Sequence, residues 1–342
     1  SIRRLDASHF RSTAEHREAL TGLIRDYRNL LGQGVIARFD PETYSDSIAF
    51  ARMGEGSIGG KARGLAFMNS MLIKYRFYDR HPEVRITIPR SVVIATDYFD
   101  AFIRDNGLEY IIAQEFSDEE ILAEFVGARL PEPLYDQLRA YIRTVRAPLA
   151  VRSSSKLEDS HYQPFAGIYS TYMIPHTDNE DQMLRLLVKA IKCVYASVYY
   201  AASRAYIQSS QNLISEEKMA VIIQEVCGTE QDGLYFPTCS GVARSINYYP
   251  IGDERPEEGI CQIAMGLGKL IVEGGRVLRF SPVYPRRALQ TSTPRLALSE
   301  TQTEVLALDL RPEAFRTSPD DEVNIRRLGL DELRPLRNTR FA

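Results

Sequence analysis

This 342-residue sequence has only four cysteines, Cys193, Cys227, Cys239 and Cys261, far apart and with no CxxC pair. That spacing argues against a zinc site or a disulfide framework and reads as reduced core thiols of a cytoplasmic protein. Charge of one sign is also lacking: 42 Lys and Arg stand against 45 Asp and Glu, for a net charge of −3. No global field for nucleic acid or an anionic membrane follows from that balance. No apolar run approaches the length of a membrane span. The opening, SIRRLDASHF, has no apolar h-region of a signal peptide, and it lacks Met, as expected of a fragment cut from something longer. Internal repeats and low-complexity linkers are absent as well. What is present is 44% hydrophobic and 25% charged residues, enough for a packed core. The length suits two or three domain-sized units.

The most informative stretch is Pro148 to Met173, PLAVRSSSKLEDSHYQPFAGIYSTYM. Leu149-Ala150-Val151 reads as a short buried strand with Arg152 at its end. Three serines follow, then Glu158-Asp159, a turn at Gln163-Pro164, small Ala166-Gly167 and a second strand up to Met173. A guanidinium beside a hydroxyl-rich, glycine-containing loop suits an anionic ligand. It offers a planar fork for phosphate oxygens, and the hydroxyls and backbone N–H groups add donors. Composition alone favours a plainer reading, a Ser-rich surface loop with one salt-bridged Arg.

A second glycine-rich stretch is Met53 to Met68, MGEGSIGGKARGLAFM. As a Walker A loop it fails, because the first Gly would fall on Glu55 and Lys61 is followed by Ala62. Gly54, Gly56 and Gly59 match a dinucleotide fingerprint literally, which keeps an NAD(P) oxidoreductase open, but no βαβ unit with a ribose-binding acid follows. The remaining alternative is a GGK turn opening a helix, where glycines admit phosphate to the backbone and the helix N-terminus favours negative charge.

The rest reads as scaffold. A helix is expected over 11–31, and another follows a strand over 86–95, N-capped by Thr96. Ser117 with Glu120 predicts a capping box, and Pro131 starts the next helix. One long helix is expected over 180–208, and Lys218 to Val226 as a buried strand.

Together these landmarks resemble the nucleotide-binding domain of the phosphoenolpyruvate synthase and pyruvate phosphate dikinase family. Five occur in family order: GGKARGLA, the IP…T..Y strand and helix, AVRSS…ED…FAG, the VIIQEV strand, and the SGV and GLG segments. The resemblance covers about residues 50–285. It implies an α+β fold, a two-lobed ATP-grasp-type domain with an N-terminal helical extension. The expected parts are the extension at 1–45, a phosphate-binding lobe at 46–212, an adenine-side lobe at 213–290 and an irregular tail at 291–342.

By that resemblance, Gly60, Lys61 and Arg152 bind the phosphates of ATP, with Lys61 and Arg152 in the catalytic role. Ala166 and Gly167 cover the phosphates, and Gln224, Glu225 and Val226 line the adenine. The implied cofactors are ATP and Mg²⁺. The implied partner is a phosphohistidine-bearing swivelling domain absent from this chain, which would receive the phosphoryl group; the chain alone is not expected to turn over. Two departures stand out. Lys269 replaces the family's usual Glu, and residues 286–342 show no acidic strand pair for the metal, whose ligands stay unknown. Asp320-Asp321-Glu322 is acidic but reads as a loop. These departures favour an alternative, a non-catalytic nucleotide-sensing or scaffolding module of the same fold.

Overall fold

The computed structural model describes residues 36–45, 48–77, 83–155, 167–209 and 217–329, together with Ser12, Arg17 and Glu332. The helix expected over 11–31, the acidic pair Glu158-Asp159 and Ala166 lie outside the described residues. Mixed helices and sheets make the fold α+β. The chain divides into two compact units. The first comprises Ser1–Val145, Val151–Ser170 and Ile191–Glu225; the second comprises Arg146–Ala150, Thr171–Ala190 and Val226–Ala342. Among the described residues no helix is long and apolar enough to cross a membrane.

In the first unit, β1 (Ala37–Arg38), β2 (Phe50–Met53) and β3 (Ser91–Ile94) run parallel to one another. The neighbours continue β1-β2-β3-β6-β4, where β4 is Leu149–Ser155 and β6 is Met219–Glu225. β6 pairs antiparallel with β3, placing Gln224 opposite Ser91. The apolar run from Met219 to Ile223 is fully buried, as expected of a strand covered on both faces. This strand, expected in the second lobe, therefore lies inside the first unit's sheet. Helix α1 (Gly59–Lys74) covers part of the sheet: Ile58 and Ala62 pack with Phe50, Val93, Ala220 and Ile222. Helix α2 (Thr96–Asp105) also packs on β6.

Helices α3 (Asp118–Gly127) and α4 (Glu132–Ile142) follow. The Ser117–Glu120 capping box forms as the sequence predicts, with Ser117 Oγ accepting from Glu120 N–H at 3.3 Å. The long helix expected over 180–208 is broken. Helix α5 (Glu180–Ala196) passes into a 3₁₀ turn at Ser197–Tyr199, and α6 (Ala201–Ser209) starts anew after an extended Tyr200. A tertiary contact caps the new start, because Ala201 N–H donates to Asp118 Oδ1 at 2.8 Å. Ala201 and Ala205 are exposed on the new helix.

The second unit holds β5 (Thr171–Ile174) and two antiparallel sheets. One orders β11-β10-β9, with β9 Ser240–Arg244, β10 Ile260–Ala264 and β11 Leu278–Phe280. The other orders β13-β12-β8-β7, with β7 Thr229–Gln231, β8 Leu234–Phe236, β12 Glu304–Asp309 and β13 Ile325–Gly329. The irregular tail expected over 291–342 is thus corrected. Within it β12 pairs with both β13 and β8. Leu306 and Leu308 join a cluster with Leu267, Leu270 and Ile271, while Val305 and Ala307 pack with Phe236 and Leu328. Burial of both faces conceals the alternation that marks a half-exposed strand. The GLG segment meets this strand directly: Leu267 N–H donates to Leu306 O at 2.9 Å. Gly266 has φ +80°, and a Cβ there would lie 2.6 Å from Leu306 O. The cysteine reading is corrected too, since only Cys193 is buried, whereas Cys227 and Cys239 are exposed and Cys261 is intermediate.

At the end of β12 the buried Asp309 carboxylate accepts from Arg311 Nη2 at 2.7 Å and lies 3.5 Å from Arg326. The Arg311 side-chain hydrogen bond, with its backbone N–H and the two positive charges, outweighs burial and lowers the carboxyl pKa to about 2. A folded-state pKa below the unfolded one contributes stability above the unfolded value, and that contribution fades as pH falls toward the folded value. Asp309→Asn should therefore cost about 1–2 kcal/mol near neutral pH, allowing for the exposed Arg311 partner. The deficit should shrink between about pH 4 and pH 2. Denaturant titrations across that range check it, and a deficit that stays constant would refute the assignment.

Candidate functional site

The site is built at the end of β2, where the chain turns through Gly54 to Ile58 into α1. Thr96 and Asp97 hold this turn rather than capping their own helix, whose N-cap is Ala95 with no side-chain hydrogen bond. Asp97 accepts from Glu55 N–H at 2.9 Å and Gly56 N–H at 3.1 Å. Thr96 Oγ1 accepts from Ser57 N–H at 3.0 Å, and Thr96 N–H donates back to Ser57 O at 2.9 Å. The sequence marked Thr96 only as a cap; the glycines before α1 and the acid after Thr96 were the available signal for this clamp.

Strand β4 closes the other side. Ser154 Oγ donates to Ile58 O at 2.8 Å and accepts from Ala62 N–H at 3.1 Å. Gly59, at φ +75°, leaves room for the Ser154 carbonyl, which any Cβ would overlap. The preceding serine receives the predicted cation: Lys61 Nζ donates to Ser153 Oγ at 3.1 Å. Arg152, one residue earlier, donates through Nη1 to Gln224 Oε1 at 3.1 Å, and Gln224 Nε2 donates to Ser91 Oγ at 3.0 Å. Glu225 forms an ion pair with Arg90, and its N–H donates to Arg90 O at 3.0 Å. Burial opposes charge on Arg90, but the hydrogen bond and charge of Glu225 raise its pKa above the ordinary arginine value.

Lys61, Arg152, Gln224 and Glu225 are thus joined to adjoining strands and the first turn of α1, with Gly60 in that turn. The turn carries no acidic side chain, and helix N–H groups with two cations suit an anion. Gly167 is exposed at φ +77°. Val226 belongs to the second unit, where its N–H donates to Pro148 O at 2.9 Å and its carbonyl accepts from Tyr235 OH at 3.2 Å. Arg204 Nη2 donates to Phe116 O at 3.0 Å.

Among the described residues no group of three or more His, Cys, Asp or Glu is arranged to hold a metal. The acidic run at 320–322 instead meets the chain's own cations. Lys269 Nζ lies 2.7 Å from Asp321, 3.3 Å from Glu273 and 3.9 Å from Glu322. Arg327 reaches Glu322 at 2.8 Å and Glu273 at 3.4 Å. Burial disfavours the Lys269 ammonium, but the hydrogen bond and charge of Asp321, aided by Glu273, raise its pKa. Lys269 is therefore the centre of an ion cluster in the second unit.

The family model for the AMP/ATP-binding domain of pyruvate phosphate dikinase matches residues 55–338, most of the chain. The chain belongs to that family. It is 25% identical to a phosphoenolpyruvate synthase of Aeropyrum pernix over 293 residues, 78% of this chain and 30% of that protein. It is 28% identical to an uncharacterized phosphotransferase, YvkC, of Bacillus subtilis over 193 residues, 55% of this chain and 20% of that protein. Less than a third of either curated relative is spanned. The family match runs through β12 and β13, past the end of the resemblance read from sequence.

Two outcomes follow from the geometry. Gly59→Ala must move α1 off β4 and adopt a left-handed backbone, costing about 2 kcal/mol or more. Gly64→Ala, in the same helix with open space around it, is the control; equal melting temperatures for the two variants would contradict the packing described. Lys269→Met should cost about 1–3 kcal/mol, since it leaves Asp321 and Glu273 without their shared ammonium. Lys269→Glu should cost more, with the difference shrinking in high salt; unfolding at two ionic strengths measures this, and salt-independent losses would count against an ionic cause.

Proposed function

We propose that this chain is an ATP-grasp-type nucleotide-binding domain that positions ATP for phosphoryl transfer to a histidine on a separate domain. One observation carries the reading: Lys61 and the Arg152-Ser153-Ser154 segment meet at the glycine-opened N-terminus of α1. Lys61, Arg152 and the turn at Gly60 then bind the phosphates. Ala166 and Gly167 cover them, and Gln224, Glu225 and Val226 lie on the adenine side. Phosphoryl transfer asks mainly for positioning and charge stabilisation, which fixed cations and helix N–H groups supply. Lys61 and Arg152 neutralise charge on the phosphates, and the clamp by Asp97 and Ser154 holds the turn rigid against them. The Mg²⁺ implied by the family finds no carboxylate set among the described residues. The acceptor histidine, the swivelling domain that bears it and a cytoplasmic setting extend the same proposal from the family.

A second reading, a nucleotide-sensing module without transfer, is favoured by one observation: Lys269 and Arg327 already neutralise Glu273, Asp321 and Glu322. Both readings require nucleotide binding. Calorimetric titration with ATP should show saturable binding, with Kd raised about tenfold or more in Lys61→Ala and in Arg152→Ala, as each removes a charge-assisted contact. Unchanged titrations in both variants would remove the site assignment. Incubation with labelled ATP and a histidine domain from a relative separates the two readings: acid-labile phosphate on that domain supports transfer, whereas binding without labelling supports sensing.

A further inference from the structure

A cavity of about 350 Å³ lies within the second unit, lined by the loop around Ile251, strand β11 and the turn from Tyr284 to Ser292. No residue of the Lys61 cluster lines it. Three guanidinium groups do: Arg279, Arg286 and Arg287. Arg279 is held in place with its side chain only 20% exposed. Its Nη2 alone makes its contacts, donating to Tyr249 O at 2.7 Å, Asn247 Oδ1 at 3.2 Å and Glu254 Oε2 at 3.3 Å. Nε and Nη1 have no partner among the described residues. Neither nitrogen is sealed from solvent, so both can take an acceptor brought by a ligand.

The two lining carboxylates leave those nitrogens open. Glu254 is already committed to Asn247 Nδ2 at 2.9 Å and Ile251 N–H at 3.0 Å, besides Arg279. These bonds outweigh burial and keep its pKa low, so it stays an anion fixed to the wall. Asp253 reaches Arg287 at 3.2 Å, but both side chains are at least 70% exposed, and such a pair is weak in water. Arg287 also lies 5.1 Å from the Tyr284 ring centroid, which orients its fork. Arg286 makes no ion pair or hydrogen bond among the described residues. Three cations therefore face two anions, with the Tyr284 ring, Ile251 and Leu289 as apolar wall.

We propose that this cavity is a second ligand site, for a compact phosphate monoester carrying an aromatic or apolar group. The volume is at the small end of ligand pockets, which excludes a bulky occupant. A phosphate dianion offers the oxygens that paired forks accept, and Arg is suited to that planar contact. The proposal does not depend on nucleotide binding in the first unit.

Phenyl phosphate is the probe, titrated calorimetrically against the whole chain, with inorganic phosphate and benzoate as separate arms. Saturable binding is expected, about tenfold weaker in Arg286→Ala and in Arg287→Ala and unchanged in Lys61→Ala. Both arginines are exposed, so their variants should melt at the temperature of the parent chain. Inorganic phosphate should bind more weakly than phenyl phosphate, because it leaves the apolar wall uncovered. Loss of binding in Lys61→Ala with none in Arg286→Ala would move the ligand to the first unit. Equal affinity for benzoate would overturn the phosphate assignment, and an absence of saturable binding would overturn the site.

Discussion

The first unit depends on the close approach between Gly59 and the carbonyl of Ser154. That approach is possible only without a Cβ, and it seats the first turn of α1 on β4. Ser154 then satisfies two backbone groups of the turn, accepting from Ala62 N–H and donating to Ile58 O. Helix N-termini leave donors unmatched, and here a neighbouring strand supplies an acceptor. The same contact brings Lys61 to Ser153, next to Arg152. On the far side Asp97 and Thr96 fix three successive N–H groups of the loop. A loop held from both sides keeps the helix N-terminus and the neighbouring Lys61 and Arg152 in fixed places.

The second unit handles charge differently. Its most acidic region is neutralised from within, by Lys269 and Arg327, and Asp321 also receives Thr171 N–H at 2.6 Å. Taking one member from such a cluster leaves the others uncompensated, so the set is held as a group. Lys269 is therefore intelligible as one part of that network. Its partners come from 52 positions later in the chain and from the next helical turn. Similar economy marks Arg279, whose single nitrogen gathers the loop from Asn247 to Glu254 around β11.

Much of the scaffold could be read from local pattern. The capping box at Ser117, the buried strand over Met219–Glu225 and the GGK turn opening a helix each depend on residues near one another in sequence. The same holds for the cations, since Lys61 beside paired glycines and Arg152 beside serines carry their chemistry locally. Where the reading failed, a distant partner had decided the outcome. Tyr200 leaves the helix where Asp118, more than eighty residues earlier, caps the next one. β12 escaped notice because both its faces are buried, against Phe236 on one side and Leu267 on the other.

The sequence by itself determined the family, the order of its landmarks, and the residue types able to meet a polyanion, because each of these is encoded in short contiguous motifs. Only the tertiary structure decided which groups those residues meet. Thr96 and Asp97 clamp a loop some forty residues away, and Gln224 couples Arg152 to Ser91 across three strands. Lys269 meets three carboxylates, two of them more than fifty positions later in the chain. Hydrogen bonds and ion pairs reach only about 3 Å, so their partners are set by strand order and helix docking rather than by spacing along the chain.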